Sequence, residues 1–164
     1  MRAALGVLGV LGVLGGAPGP AAAGDTRPAC SGTLSGAVEG KFECTATLAR
    51  GPGGKAVFVV APRSFPDGVP SYDPGAFEVP EPVSARTYTL DTLGHGMARV
   101  AVESGTLYTA TKTSSQRGEV TLTLTRATPD PAARGAWTIG GTYRARLLPS
   151  GSPRKDAVVV EVRF

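Results

Sequence analysis

Among its 164 residues the chain has no asparagine, one isoleucine (Ile139), one glutamine (Gln116), one histidine (His95) and one tryptophan (Trp137). Without Asn there is no N-glycosylation acceptor, and tight turns must rely on Gly, Asp and Pro. These gaps, with Arg far outnumbering Lys, read as a GC-rich coding bias and carry no functional meaning of their own. A single imidazole excludes a multi-histidine metal site and leaves one candidate base for a catalytic triad. That residue, His95, sits in Gly94-His95-Gly96, where a turn facing water is expected. No Gly-x-Ser-x-Gly elbow and no Asp-x-Asp-x-Asp-Gly calcium loop occurs. Gly51-Pro52-Gly53-Gly54-Lys55 only superficially resembles a phosphate loop. Pro52 and a following strand in place of a helix remove that mechanism, so a strand-connecting turn is expected.

Charge is also sparse. The formal net charge is +4. Arg2 lies in the leader and no acidic residue precedes Asp25, so the mature chain keeps 16 of the 17 basic residues against 13 acidic ones, a net of +3. This mild excess argues against nucleic acid, whose binders cluster a stronger basic face. Residues 1–23 have the order of an export signal: Met1-Arg2, an apolar run from Ala3 to Leu14, then small residues ending in Ala21-Ala22-Ala23. The run is too short and too rich in Gly to span a bilayer as a helix, and no transmembrane segment is expected in the mature chain. Cleavage is placed between Ala23 and Gly24, followed by a short flexible N-terminus at 24–29, with a secreted or periplasmic, cell-envelope location. Cys30 and Cys44 are the only thiols. In an oxidising compartment they read as one structural disulfide. Lipidation of Cys30 is not favoured, because Asp25, Arg27 and Pro28 separate it from the apolar run.

The mature chain has a period of two. Val120, Leu122 and Leu124 alternate with Thr121, Thr123 and Thr125; Tyr143, Ala145 and Leu147 alternate with Thr142, Arg144 and Arg146; Val158, Val160 and Val162 alternate with Val159, Glu161 and Arg163. Each is the signature of a half-buried strand. Further strands are expected at 33–38, 41–48, 86–90, 98–103 and 106–113. Ala56 to Ala61, a continuous apolar run, reads as a strand buried on both faces. No window holds helical spacing for three turns. The expectation is one all-β domain at 30–164, an antiparallel β-sandwich of about 8–10 strands, with a closed β-barrel as the alternative. Residues 62–85 carry six prolines and are expected as a long ordered loop with a short strand at Ala76 to Val79.

That segment also gathers Asp67, Asp73, Glu78 and Glu81. Carboxylates facing one another across a cleft would suit glycoside hydrolysis; on a Pro-rich loop they read as a solvated rim. Tyr72 is the aromatic expected to be exposed there, and Tyr72, Asp73 and His95 are the candidate ligand-facing residues. Trp137 and Tyr143 fit the core. Arg144 and Arg146, with Arg154 and Lys155 downstream, could form a basic stripe toward an anionic polysaccharide, or a charged outer face that keeps the sheet soluble.

Taken in order, SGAVEGKFEC, TYTLDTLG, SGTLYTATK, GEVTLTLT, WTIGGTYRARLLP and VVVEVRF resemble small exported all-β domains of unknown function from GC-rich Gram-negative bacteria. In those a Gly-Thr strand, here Ile139-Gly140-Gly141-Thr142-Tyr143, precedes a last strand ending in Phe. The resemblance implies a fold and a compartment, and no catalytic residues. The functional expectation is a non-catalytic exported binding or cell-envelope component without cofactor or metal, with a glycan or envelope surface as possible partner. The alternatives are a hydrolase using the loop carboxylates and a purely structural envelope protein. N-terminal sequencing of the exported protein is expected to begin at Gly24; material that retains Met1 would refute the export reading.

Overall fold

The computed structural model describes residues 29–114, 117–150 and 156–164. The expected signal and its cleavage site, like Arg154 and Lys155, lie outside them. The strands are β1 (Ala29–Gly36), β2 (Gly40–Arg50), β3 (Ala56–Pro62), β4 (Ser71–Val79), β5 (Thr87–Thr89), β6 (Gly96–Ala101), β7 (Leu107–Thr111), β8 (Glu119–Pro129), β9 (Ala136–Pro149) and β10 (Val158–Arg163). All pairings are antiparallel.

The expected sandwich is overturned: the sheet closes on itself. β10 pairs with both β1 and β9, and β7 pairs with both β6 and β9, so the circuit β9-β10-β1-β2-β3-β4-β6-β7 returns to β9 as an eight-stranded barrel. The cause is the length of β9. Over 14 residues it carries β10 at Thr142–Leu147, meets β2 at Ala136 and Trp137, and reaches β7 with Leu148 and Pro149. β8 runs along the edge opposite β10, and short β5 pairs with β8 at Thr87–Thr89. A sandwich and a barrel both alternate inward and outward residues, so periodicity alone does not separate them.

The inward residues fill the barrel. Phe58, Phe77 and Tyr143 meet near its middle, with the Tyr143 ring centroid 5.6 Å from Phe58 and 6.4 Å from Phe77. Leu48, Leu122, Leu147, Val60 and Val100 close around them, fully buried. β3 alternates, with Ala56, Phe58 and Val60 inward and Val57 and Val59 only half-covered, so the expectation of burial on both faces does not hold. The outer face of a closed barrel has no second layer to cover it.

The Pro-rich segment also holds a longer strand than expected. β4 occupies nine of its residues, including Pro74. Proline is tolerated because the register shifts between Asp73 and Ala76, a bulge at which the missing N–H breaks no ladder bond. Gly75 follows for a steric reason: a Cβ there would stand 2.6 Å from the Tyr143 hydroxyl. That hydroxyl is buried and has no hydrogen-bond partner, the one such side-chain atom among the described residues.

The expected disulfide is present. Cys30 and Cys44 face each other across β1 and β2, with Cα atoms 4.9 Å apart, and both side chains are buried. Closing a loop of about 15 residues is worth roughly 3 kcal/mol in the chain-entropy account. The Cys30→Ala/Cys44→Ala variant is therefore expected to lose about 3 kcal/mol in denaturant unfolding. A loss below about 1 kcal/mol would remove the bridge from the stabilising framework.

Candidate functional site

One end of the barrel is shaped by three chain segments. The β2–β3 turn is the first. Gly51 N donates to Lys55 O at 2.9 Å and Gly54 N to Gly51 O at 3.0 Å. Gly53 and Gly54 take φ of 82° and 77°, which a side chain would strain. The second segment is the end of β4, where Glu78 and Val79 lead into Pro80 and Glu81. The third is the turn from Thr89 to Gly94. Thr92 N and Leu93 N donate to Thr89 O, and Thr92 Oγ1 accepts from Thr89 N at 2.8 Å. Lys112 Nζ ties this turn down by donating to Asp91 O and Leu93 O. Gly94 N then donates to Glu78 O at 2.7 Å, joining the third segment to the second.

Between these walls lies an open cleft of about 470 Å³, within the size range of small-molecule sites. Pro80 gives it an accessible apolar surface above buried Ala56 and Val79, and Arg50, Lys55, Glu78, Glu81 and Thr92 supply its polar groups. The charges are paired. Arg50 Nη1 donates to Glu81 Oε1 at 2.5 Å and also to Gly54 O, while its guanidinium lies 5.6 Å from the centre of the Trp137 ring. Lys55 Nζ donates to Glu78 Oε2 at 2.9 Å. That hydrogen bond from Lys55, aided by the His95 backbone N–H and the positive charges nearby, holds the Glu78 carboxyl below its ordinary range. A carboxyl so placed stays ionised at neutral pH. It can accept hydrogen bonds, and it has the wrong proton affinity for a general acid.

The four carboxylates of the Pro-rich segment do not converge. Glu78 and Glu81 border the cleft. Asp67 is exposed on the Pro66–Val69 turn, and Asp73 sits on β4 opposite Arg99. Tyr72 is not exposed as expected. It is buried, its ring packs edge-on against Phe42 and Phe65 with centroids 5.1 Å away in each case, and its hydroxyl donates to Ser64 O at 2.6 Å. Even residues of β4 before the bulge face the interior, so Tyr72 points inward. His95 is exposed beside the cleft, with its backbone N–H 3.4 Å from Glu78 Oε2 and its carbonyl accepting from Glu78 N. Trp137 is half-buried under Arg50, and Tyr143 is in the core as expected. The Arg144–Arg146 stripe is neutralised: Arg144 pairs with Glu161 at 3.1 Å and Arg146 with Glu119 at 3.9 Å. No cluster of three metal-ligating side chains occurs among the described residues.

Sequence reading missed Arg50, Lys55 and Thr92 as site residues. Lys55 was visible only as the end of a glycine turn, and its partner Glu78 lies 23 residues away. The pairing becomes legible only once the β3–β4 register sets Val57 opposite Glu78. No family model matches the chain, and neither a curated protein nor a solved structure matches it significantly.

Asp73 is held at a cost. Burial raises its carboxyl above the ordinary value of 3.8, against the opposing pull of Arg99 and of the Gly75 backbone N–H. A folded-state pKa above the unfolded one means that ionisation disfavours folding. The penalty is complete above the folded value and vanishes below about 3.8. Asp73→Asn is therefore expected to raise Tm at pH 7, with the advantage fading as the pH falls through the carboxylate range. A Tm that drops at pH 7 would show that the contact with Arg99 outweighs the burial.

Proposed function

We propose that the chain is an exported, non-catalytic β-barrel that binds a small ligand in the cleft at its mouth. The observation that carries this reading is the cleft itself: a pre-formed concavity whose walls are fixed by backbone hydrogen bonds and whose charged groups are already neutralised in pairs. Binding sites are commonly concave, largely apolar and furnished with a few placed polar groups. The closed disulfide fits an oxidising compartment, in keeping with the export signal read from residues 1–23. The hydrolase reading is weaker. Its two cleft carboxylates each hold a cation at hydrogen-bond distance, and the Glu78 carboxyl is held below its ordinary range, where a catalytic acid needs the opposite.

A thermal-shift screen of small polar compounds tests the proposal against a purely structural role. The charge-swapped variant Lys55→Glu/Glu78→Lys keeps an ion pair in place while reversing its donors and acceptors. At least one compound is expected to raise the Tm of the wild-type protein and leave that of the swapped variant unmoved. No shift with any compound, or equal shifts in both proteins, overturns the cleft as a ligand site.

A further inference from the structure

We infer that the ligand of this cleft is an uncharged saccharide of one or two sugar units, an inference that rests on the binding reading above. Three observations narrow the chemistry. The first is charge. Arg50 and Lys55 balance Glu78 and Glu81, so a polyanion, a nucleotide or a metal cation would gain attraction from one pair member and meet repulsion from the other at nearly the same distance. A neutral ligand meets no such conflict. The second is hydrogen-bonding character. Two carboxylates offer only acceptors, a guanidinium and an ammonium only donors, and Thr92 carries a hydroxyl. A sugar hydroxyl donates and accepts at once, so it can bridge the members of an ion pair without either losing its counter-charge. The partly exposed ring of Pro80, set above buried Ala56 and Val79, suits the C–H face of a pyranose ring.

The third observation separates a sugar from an extended peptide. Peptides are often captured by adding a strand to an open sheet edge. Here β2, β3 and β4, which border the cleft, are each paired on both sides, so they present no open edge to a peptide backbone. Recognition falls to side chains, and planar carboxylates and a guanidinium are the side chains suited to vicinal hydroxyls.

The test is an NMR titration of the disulfide-intact exported protein with a neutral monosaccharide and disaccharide panel, a uronic-acid panel and an uncharged tripeptide. A neutral sugar is expected to shift the amides of Gly53, Gly54, Glu81 and Thr92. Glu81→Gln should weaken that binding about tenfold or more, the usual loss for a hydrogen bond to a charged group, while Glu103→Gln on a distant turn should leave it unchanged. If Glu81→Gln lowers Tm markedly, the wild-type amide shifts decide alone. Shifts at the same amides with only the uronic acids or only the tripeptide would overturn the sugar assignment and leave the cleft as a binding site. Shifts with none of the probes would overturn the sugar assignment, and the broader screen then decides the fate of the cleft.

Discussion

The double pairing of β9 is the constraint on which the rest of the molecule depends. Because β9 is long enough to hold β10 and still reach β7 beyond it, one sheet can curl until its ends meet. Closure removes the edges of the eight circuit strands, leaving only the β8–β5 extension with an open side. It also gives every inward side chain a neighbour on the far wall. Tyr143 illustrates this: it projects from β9 yet packs on Phe58 of β3 and Phe77 of β4, and its hydroxyl dictates that residue 75 be glycine. The bulge of β4 accommodates the same phenol, and with it come the half-buried carboxyl of Asp73 and an unpartnered buried hydroxyl. The barrel carries these local costs in one place, where three large rings crowd its centre.

Much of the fold was legible because a strand with one wet face writes its pattern directly into the chain. The Thr-Leu alternation of β8 and the Val alternation of β10 appear where the residues put them. The disulfide followed from counting to two. Closure was not legible, since it depends on which strands share an edge, and alternating residues look the same in a barrel and in a sandwich. β4 was hidden for a different reason. Pro74 normally argues against a strand interior, and only a bulge, which depends on the partner strand, makes room for it. Tyr72 went inward for the same cause: once its segment is a strand, parity decides its direction.

The site was the least legible part. Glu78 and Glu81 stood out as acidic residues, but what matters at the cleft is that each has acquired a cation, from the end of β2 or the turn that follows it. Surface ion pairs contribute little to stability, commonly under about 1 kcal/mol, so these two are poor candidates for holding the barrel shut. Their consequence is electrostatic: they turn four charged side chains into a locally neutral, strongly polar wall.

That neutrality and the closure of the sheet have a common origin. A barrel whose strands are paired on both sides keeps its backbone donors and acceptors to itself, so recognition at its end falls to side chains. Turns are where long charged side chains are cheapest to place, because they remain partly hydrated there. Where Arg50 and Lys55 meet Glu78 and Glu81 over the apolar end of a filled core, the cleft between them is walled by ion pairs. The chemistry of this cleft is thus a consequence of how the sheet ends.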